Sequence, residues 1–322
     1  MTTTETTTPS TAVATAADSW LLAPAPPTRL AVLRVLIGAY CVVHLVATAP
    51  SLLQIARLPG EQFAPVGVLS WLSEPVSRGL VAIGLGLALA AGVAVVAGWR
   101  WRLSAPVFAV LFLLLSTYRV SWGHVSHADH LPAVHLVILA LVPAADAWSL
   151  DARRRGRATG APAPVPRARY GWPVRVLAIA TVVSYVVAGI AKVRYSGIGW
   201  LDGDVLRNQV AADALQKTLF GARHSPIGGW LAAHPTVLPL AALGALAVEL
   251  GAPVALLGGM CRNVWVASAW LFHVAIAAVM AIAFPYPLFG VAFAPFFAVE
   301  IAVERARAAV RRRRRGAPAA SP

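Results

Sequence analysis

The hydrophobic positions of this chain are gathered into long runs separated by short polar stretches. A helix needs about 20 mostly apolar residues to cross roughly 30 Å of hydrocarbon. About eight runs approach that length: Leu30 to Ala47, Leu80 to Gly98, Leu103 to Val120, Leu131 to Ala144, Trp172 to Ala191, Leu238 to Gly258, Val264 to Ala283 and Pro287 to Val303. The fourth is short, and the last two are nearly continuous, with Pro285 and Pro287 marking the break between them. The pattern predicts an all-α fold: a polytopic integral membrane helical bundle of about eight transmembrane helices.

Composition agrees with the pattern. Of 322 residues 58% are hydrophobic and 12% charged, against roughly a quarter charged in soluble globular chains. The lipid bilayer is therefore the main solvent and the first partner. The net charge of +14 is concentrated in blocks such as Arg153 to Arg155 and Arg311 to Arg315, the usual mark of cytoplasmic membrane flanks. No basic face interleaved with aromatics is present, which argues against a nucleic-acid partner. Cys41 lies inside one apolar run and Cys261 at the end of another, leaving no basis for a structural disulfide or thiolate metal cluster.

Residues 1–28 are rich in Thr, Ala and Pro and lack an apolar signal-peptide core, so they are expected to form a disordered cytoplasmic leader. Residues 29–304 form the transmembrane domain and 305–322 a basic cytoplasmic tail. Positive charge sets the orientation. With the N-terminus inside, Arg100 and Arg102, Arg153 to Arg169, Arg262 and the terminal arginines all fall on the inner side. Both termini are thus expected in the cytoplasm, in a multi-pass protein of the cell membrane. The outer loop 192–237 mixes both signs of charge, and its Trp200 and Trp230 suit an interfacial position. No internal repeat and no pair of broken helices in equivalent halves is present, which argues against a secondary transporter.

Ionisable side chains in hydrocarbon cost several kcal/mol unless they snorkel, pair or line a wet cavity. Arg34, His44, Lys192, Glu249 and His273 lie in or at the ends of the runs. For Arg34 the simple expectation is snorkelling or an ion pair. For Glu249 it is partnership with an arginine, and for His273 a hydrogen bond to a neighbouring helix. Lys192 reads equally as an interfacial anchor or as a partly desolvated amine suited to act as a base. The segment from Trp122 to His130 adds His124, His127, Asp129 and His130, with His135 beyond. That density invites a metal, but no defined ligand spacing is present, and no metal is expected.

Several of these residues stand in an order that resembles the HTTM (horizontally transferred transmembrane) family, which includes the vitamin K-dependent γ-glutamyl carboxylase. The first run carries Arg34 and Gly38, like the family's Arg-x-x-x-Gly opening. Trp148-Ser149-Leu150-Asp151 is similar to its Trp-Ser-x-Asp segment, and Tyr185 to Lys192 to its Tyr-x-x-Ala-Gly-x-x-Lys. Trp200-Leu201-Asp202-Gly203, Phe272-His273 and Phe284-Pro285-Tyr286 follow in register.

The resemblance implies an enzyme of carboxylase type with Lys192 as the base that deprotonates a lipid quinol, either reduced vitamin K or a menaquinone-type quinol. After oxygen adds, the resulting strong base removes a γ-proton from a peptide glutamate, and CO₂ adds there. By the same comparison His130 matches a histidine that acts beside the quinol and His273 one on the later Phe-His segment, so both join Lys192 as expected catalytic residues. The departures are His44 where the carboxylase has an acid, Asp129 where it has an amide, and an arginine tail where the carboxylase continues into a large lumenal domain. Short bacterial family members include a maturation factor for a secreted sporulation-delaying peptide toxin. The resemblance therefore also admits a non-catalytic role in the maturation or export of a secreted peptide.

The charge bias makes a direct prediction about topology. Reporter fusions after Arg169 and after Arg315 are expected to read cytoplasmic; an external signal at either site reverses the orientation and places Lys192 on the opposite membrane face.

Overall fold

A computed structural model describes residues 18–123, 126–160, 162 and 164–316. Among these residues the regular elements are helices, with a single isolated antiparallel bridge between Ala25 and Arg167. In chain order the α-helices are α1 (Pro27–Ile55), α2 (Arg78–Ala97), α3 (Trp101–Val120), α4 (His130–Ala140), α5 (Leu150–Thr159) and α6 (Ala168–Ser196). They continue as α7 (Asp204–Leu219), α8 (Pro226–Ala233), α9 (Leu238–Leu250), α10 (Gly259–Met280), α11 (Pro285–Leu288) and α12 (Val299–Gly316).

Five helices are long and apolar enough to cross a membrane: α1, α2, α3, α6 with the turn that extends it, and α10. The pair α8 and α9, bent by 114°, makes a sixth crossing if it counts as one broken span. Three of the eight expected runs differ from expectation, among them 238–258, which is α9 followed by a 3₁₀ segment Ala252–Leu257. The run 131–144 is helical only over His130–Ala140, after which the chain turns through Pro143 to Trp148, a residue with φ of 47°. The run 287–303 divides into α11, a 3₁₀ segment Val291–Phe296 that contains Pro295, and the start of α12. Proline supplies the reason in both places, because it lacks the N–H that would continue the helical ladder and its ring crowds the preceding turn.

The contacts divide the chain into two compact units. The first comprises the described residues of Met1–Ser126, Ala133–Leu177 and Phe297–Pro322. Its centre is Arg34, which is fully buried and does not snorkel. Nη1 donates to the carbonyls of Ala144 at 2.8 Å and Ala147 at 3.3 Å, and Nη2 donates to Trp148 at 2.8 Å. The guanidinium therefore satisfies carbonyls left free where the helical ladder of α4 has ended. The Trp-Ser-x-Asp segment closes the same corner. Ser149 caps α5 by accepting the Ala152 N–H, and the Asp151 carboxylate accepts the N–H groups of Arg100 and Trp101 at 3.0 and 2.8 Å. Gly98, at φ 63°, sits where any Cβ would collide with Ser149, so only glycine fits that turn.

The ends of the described chain join this unit. Glu300 at the start of α12 pairs with Arg29 at 2.7 Å. Residues 1–17 of the expected leader lie outside the described residues, which begin at 18. Arg175 donates to the Ala23 carbonyl at 2.9 Å and lies over the Trp20 ring, which holds this segment against the first turns of α6. The tail, expected as a separate segment from 305, continues α12 as helix to Gly316.

The second unit comprises His127–Pro132 and Ala178–Phe296. Trp200 is packed with Ala242 and Leu246 in its core, while Trp230 is exposed. Outward-facing apolar stripes at helical spacing, Leu80, Ile83 and Leu87 on α2 and Val183, Val187 and Ile190 on α6, are left uncovered. Such stripes suit lipid as their neighbour.

Replacing Arg34 by Met removes the donors to all three carbonyls and should cost about 3 kcal/mol or more, since each buried unsatisfied acceptor costs roughly 1–3 kcal/mol. Thermal unfolding in detergent measures this, and a variant that melts with the wild type would show that the corner does not depend on the guanidinium.

Candidate functional site

Tyr185, Gly189 and Lys192 follow one another at spacings of four and three on α6, and so share one helix face. Gly189 lets α9 approach that face. A Cβ at this position would meet Leu250 Cγ at 2.9 Å and Glu249 Cβ at 3.1 Å. One turn further on, Lys192 Nζ reaches Glu249 Oε1 at 2.6 Å. The Glu249 side chain is 4% exposed and that of Lys192 25%, so the carboxylate is enclosed and the amine is the accessible member. The Trp200 ring lies 5.4 Å from Nζ and covers another side of it. The partner that sequence reasoning assigned to Glu249 was an arginine; in the structure it is this lysine.

Two turns back along the same face, the Tyr185 hydroxyl and His273 Nε2 on α10 are 2.7 Å apart. His273 thus fulfils the expectation of a hydrogen bond to a neighbouring helix. Aromatic rings wall the pair: Trp265 and Phe293 against Tyr185, and Phe284 against His273. Trp265 is itself fixed by donating to the Val248 carbonyl at 2.9 Å, one residue before Glu249. Two buried polar atoms in this wall, Glu249 Oε2 and His273 Nδ1, have no hydrogen-bond partner among the described residues. Buried polar atoms are rarely left so.

His127 completes the group. Its ring lies 5.2 Å from Phe284, whose other contact is His273. Desolvation first, and then the positive charges of Lys192 and His130, hold its pKa below the ordinary histidine range. His130 opens α4 with its backbone N–H on the His127 carbonyl at 3.2 Å, and its side chain is exposed. Of the three residues expected at the site, Lys192 and His273 stand in adjoining proton-sharing pairs on one face of α6. His130 joins through His127, and it makes no hydrogen bond to Lys192 or His273 among the described residues. His44 lies in the first unit against Tyr40 and Phe112, and His135 is buried there on the Leu177 carbonyl at 3.0 Å. His124 lies outside the described residues. Among the described residues no three His, Cys, Asp or Glu side chains are grouped to hold a metal ion.

Sequence reasoning named Tyr185 only as part of a motif, although its seven-residue spacing to Lys192 already placed both on one face. It gave His127 no role of its own. No local pattern marked that histidine out from its neighbours, because what selects it is contact with a segment more than 150 residues away.

The HTTM domain family matches residues 22–300. The chain belongs to the HTTM family. The match takes in Arg34, the Trp148 to Asp151 clasp, the α6 face and the Phe284 segment, so the HTTM domain covers both the scaffold corner and the polar group around Lys192. No curated protein and no solved structure is significantly similar to this HTTM chain.

The depressed His127 pKa has a measurable consequence. An ordinary imidazole is half protonated near pH 6.5, whereas the midpoint of His127, although its side chain is exposed, should lie below that. Imidazole NMR on selectively labelled protein reads the midpoint. Lys192→Met should move the midpoint upward by removing one of the repelling charges; a midpoint that ignores Lys192 would separate the two residues.

Proposed function

We propose that this HTTM protein is a carboxylase-like membrane enzyme in which Lys192 takes a proton from a lipid quinol, reduced vitamin K or a menaquinone-type quinol. An acidic or peptide substrate then reacts at the extracytoplasmic face of the cell membrane, with both termini cytoplasmic. The observation that carries this reading is the Lys192–Glu249 pair, 2.6 Å apart and set in an aromatic wall.

A base must offer a lone pair, and an isolated ammonium has none. A proton shared over 2.6 Å changes that. Away from water, the charged pair and the neutral amine–carboxylic acid pair approach one another in energy, because desolvation penalises both ions. Glu249 then holds the proton that Lys192 gives up, and the freed Nζ accepts the next one from a phenolic hydroxyl. Tyr185 and His273 form a second proton-sharing pair on the same face of α6, suited to orient the far side of a dihydroxy ring. The orphaned Glu249 Oε2 and His273 Nδ1 fit a ligand that carries hydroxyl groups at both ends. When bound, the quinol supplies the reducing equivalents and, after reaction with oxygen, the strong base of carboxylase chemistry.

The expected result is loss of at least about a hundred-fold in oxygen-dependent quinol oxidation for Lys192→Arg, the usual scale of a lost general base. Membrane insertion should be unaffected, since charge and length are kept. The assay uses vesicles with reduced vitamin K or menaquinone, with and without a Glu-containing peptide, together with identification of quinone that co-purifies in native lipid. If no quinone is oxidised and Lys192→Arg fully supports the cell, the enzyme reading falls. In its place stands a non-catalytic membrane factor for maturation or export of a secreted peptide.

A further inference from the structure

A second feature lies within the first unit and has no part in the Lys192 chemistry. Span α2 ends at Ala97 and span α3 begins at Trp101, so the turn joining them lies at a membrane surface. Beside it are the turn that follows α4, the α5 helix and the first residues of span α6. Together they enclose a cavity of about 770 Å³ lined by Arg100, Arg102, Arg155 and Arg169. A smaller lobe of about 390 Å³ shares three of these arginines and adds Arg167.

Five arginines thus face two aspartates, and both aspartates are engaged. The Asp151 carboxylate accepts the backbone N–H groups of Arg100 and Trp101. Asp146 takes Arg155, Arg169 and the Tyr170 hydroxyl. Arg100 and Arg102 have no carboxylate partner among the described residues; Arg100 only rests on the Trp99 ring, at 5.2 Å. The cavity is therefore positively charged, with two guanidinium forks free to grip an anion.

Its lip is not polar. Leu103 and Leu141 line the same cavity and are 62% and 79% exposed. A free anion such as inorganic phosphate would leave those leucines uncovered. An amphiphile covers both surfaces, because guanidinium forks match phosphate oxygens while an acyl chain lies on the leucines at the depth where the spans begin. We infer that this cavity binds an anionic phospholipid, its phosphate held by Arg100 and Arg102 and a chain resting on Leu103 and Leu141. Basic pockets between membrane helices take lipid headgroups by this combination of charge and position.

The test uses the full chain in detergent, with native mass spectrometry counting bound lipid during titration with phosphatidylglycerol or phosphatidylcholine. Phosphatidylglycerol should be retained preferentially. Arg100→Gln with Arg102→Gln should weaken it by about five-fold for each arginine removed. Arg153→Gln with Arg154→Gln, two exposed arginines of α5 outside the cavity, should leave retention unchanged. Inorganic phosphate, added as competitor, should not displace the lipid. Should the double variant melt lower than wild type without lipid, Arg102→Gln alone, at an exposed first-turn position, reads the same loss at half the effect. Equal retention of both lipids, an equal loss in the α5 variant, or displacement by inorganic phosphate at comparable concentration would each overturn the inference. The first two would reduce the arginines to diffuse surface charge and the third would make the site one for free phosphate.

Discussion

In an apolar solvent a backbone carbonyl that leaves the helical ladder has no water to turn to, and it must be met by a donor from the protein. Much of this structure is organised around that constraint. Where prolines, glycines and turns break the helices, side-chain donors repeatedly take up a freed carbonyl. Arg34 serves Ala144, Ala147 and Trp148; Trp101 serves Val142; Trp265 serves Val248; Thr181 serves Ala292. Indole is well suited to the task, since it carries one donor on a large apolar body. The 11 tryptophans of the sequence thus include several that act as backbone clasps as well as packing surface.

The same constraint explains how far the sequence could be read. Long runs such as Leu80 to Gly98 and Leu103 to Val120 report their state through length and composition alone, and they became α2 and α3 nearly end to end. The runs that differed are those rich in proline, where the apolar composition persists but the ladder does not. Arg34 was legible as exceptional, since an arginine inside an apolar run demands a partner. Its role was not legible, because the carbonyls it serves lie 110 or more residues away. The Lys192–Glu249 pair was half legible in the same sense. Each residue was conspicuous, but pairing them required knowing that Gly189 draws α6 and α9 together. Trp200 looked like an interfacial anchor because its ring and its place after a span suit one. What buried it is the packing of Ala242 and Leu246, which local sequence does not encode.

The family motifs divide into two kinds on structural grounds. Gly98, Ser149 and Asp151 have their missing side chain or their polar groups accounted for by a turn or a cap, and Arg34 spends both terminal nitrogens on the same corner. Their presence would be required of any chain with this corner, whatever chemistry it performs. Glu249 and His273 differ, because each retains a buried polar atom that the fold does not use.

One property of the Lys192–Glu249 pair reaches beyond its geometry. Counted together, the ammonium and carboxylate carry no net charge, and shifting the proton from one to the other leaves that total unchanged. A proton arriving from outside does not: it leaves the pair, with its enclosed carboxylate, carrying a full positive charge. Only an anion left beside the pair restores neutrality. An acid that gave its proton to this pair would be held there by electroneutrality until the proton moved on.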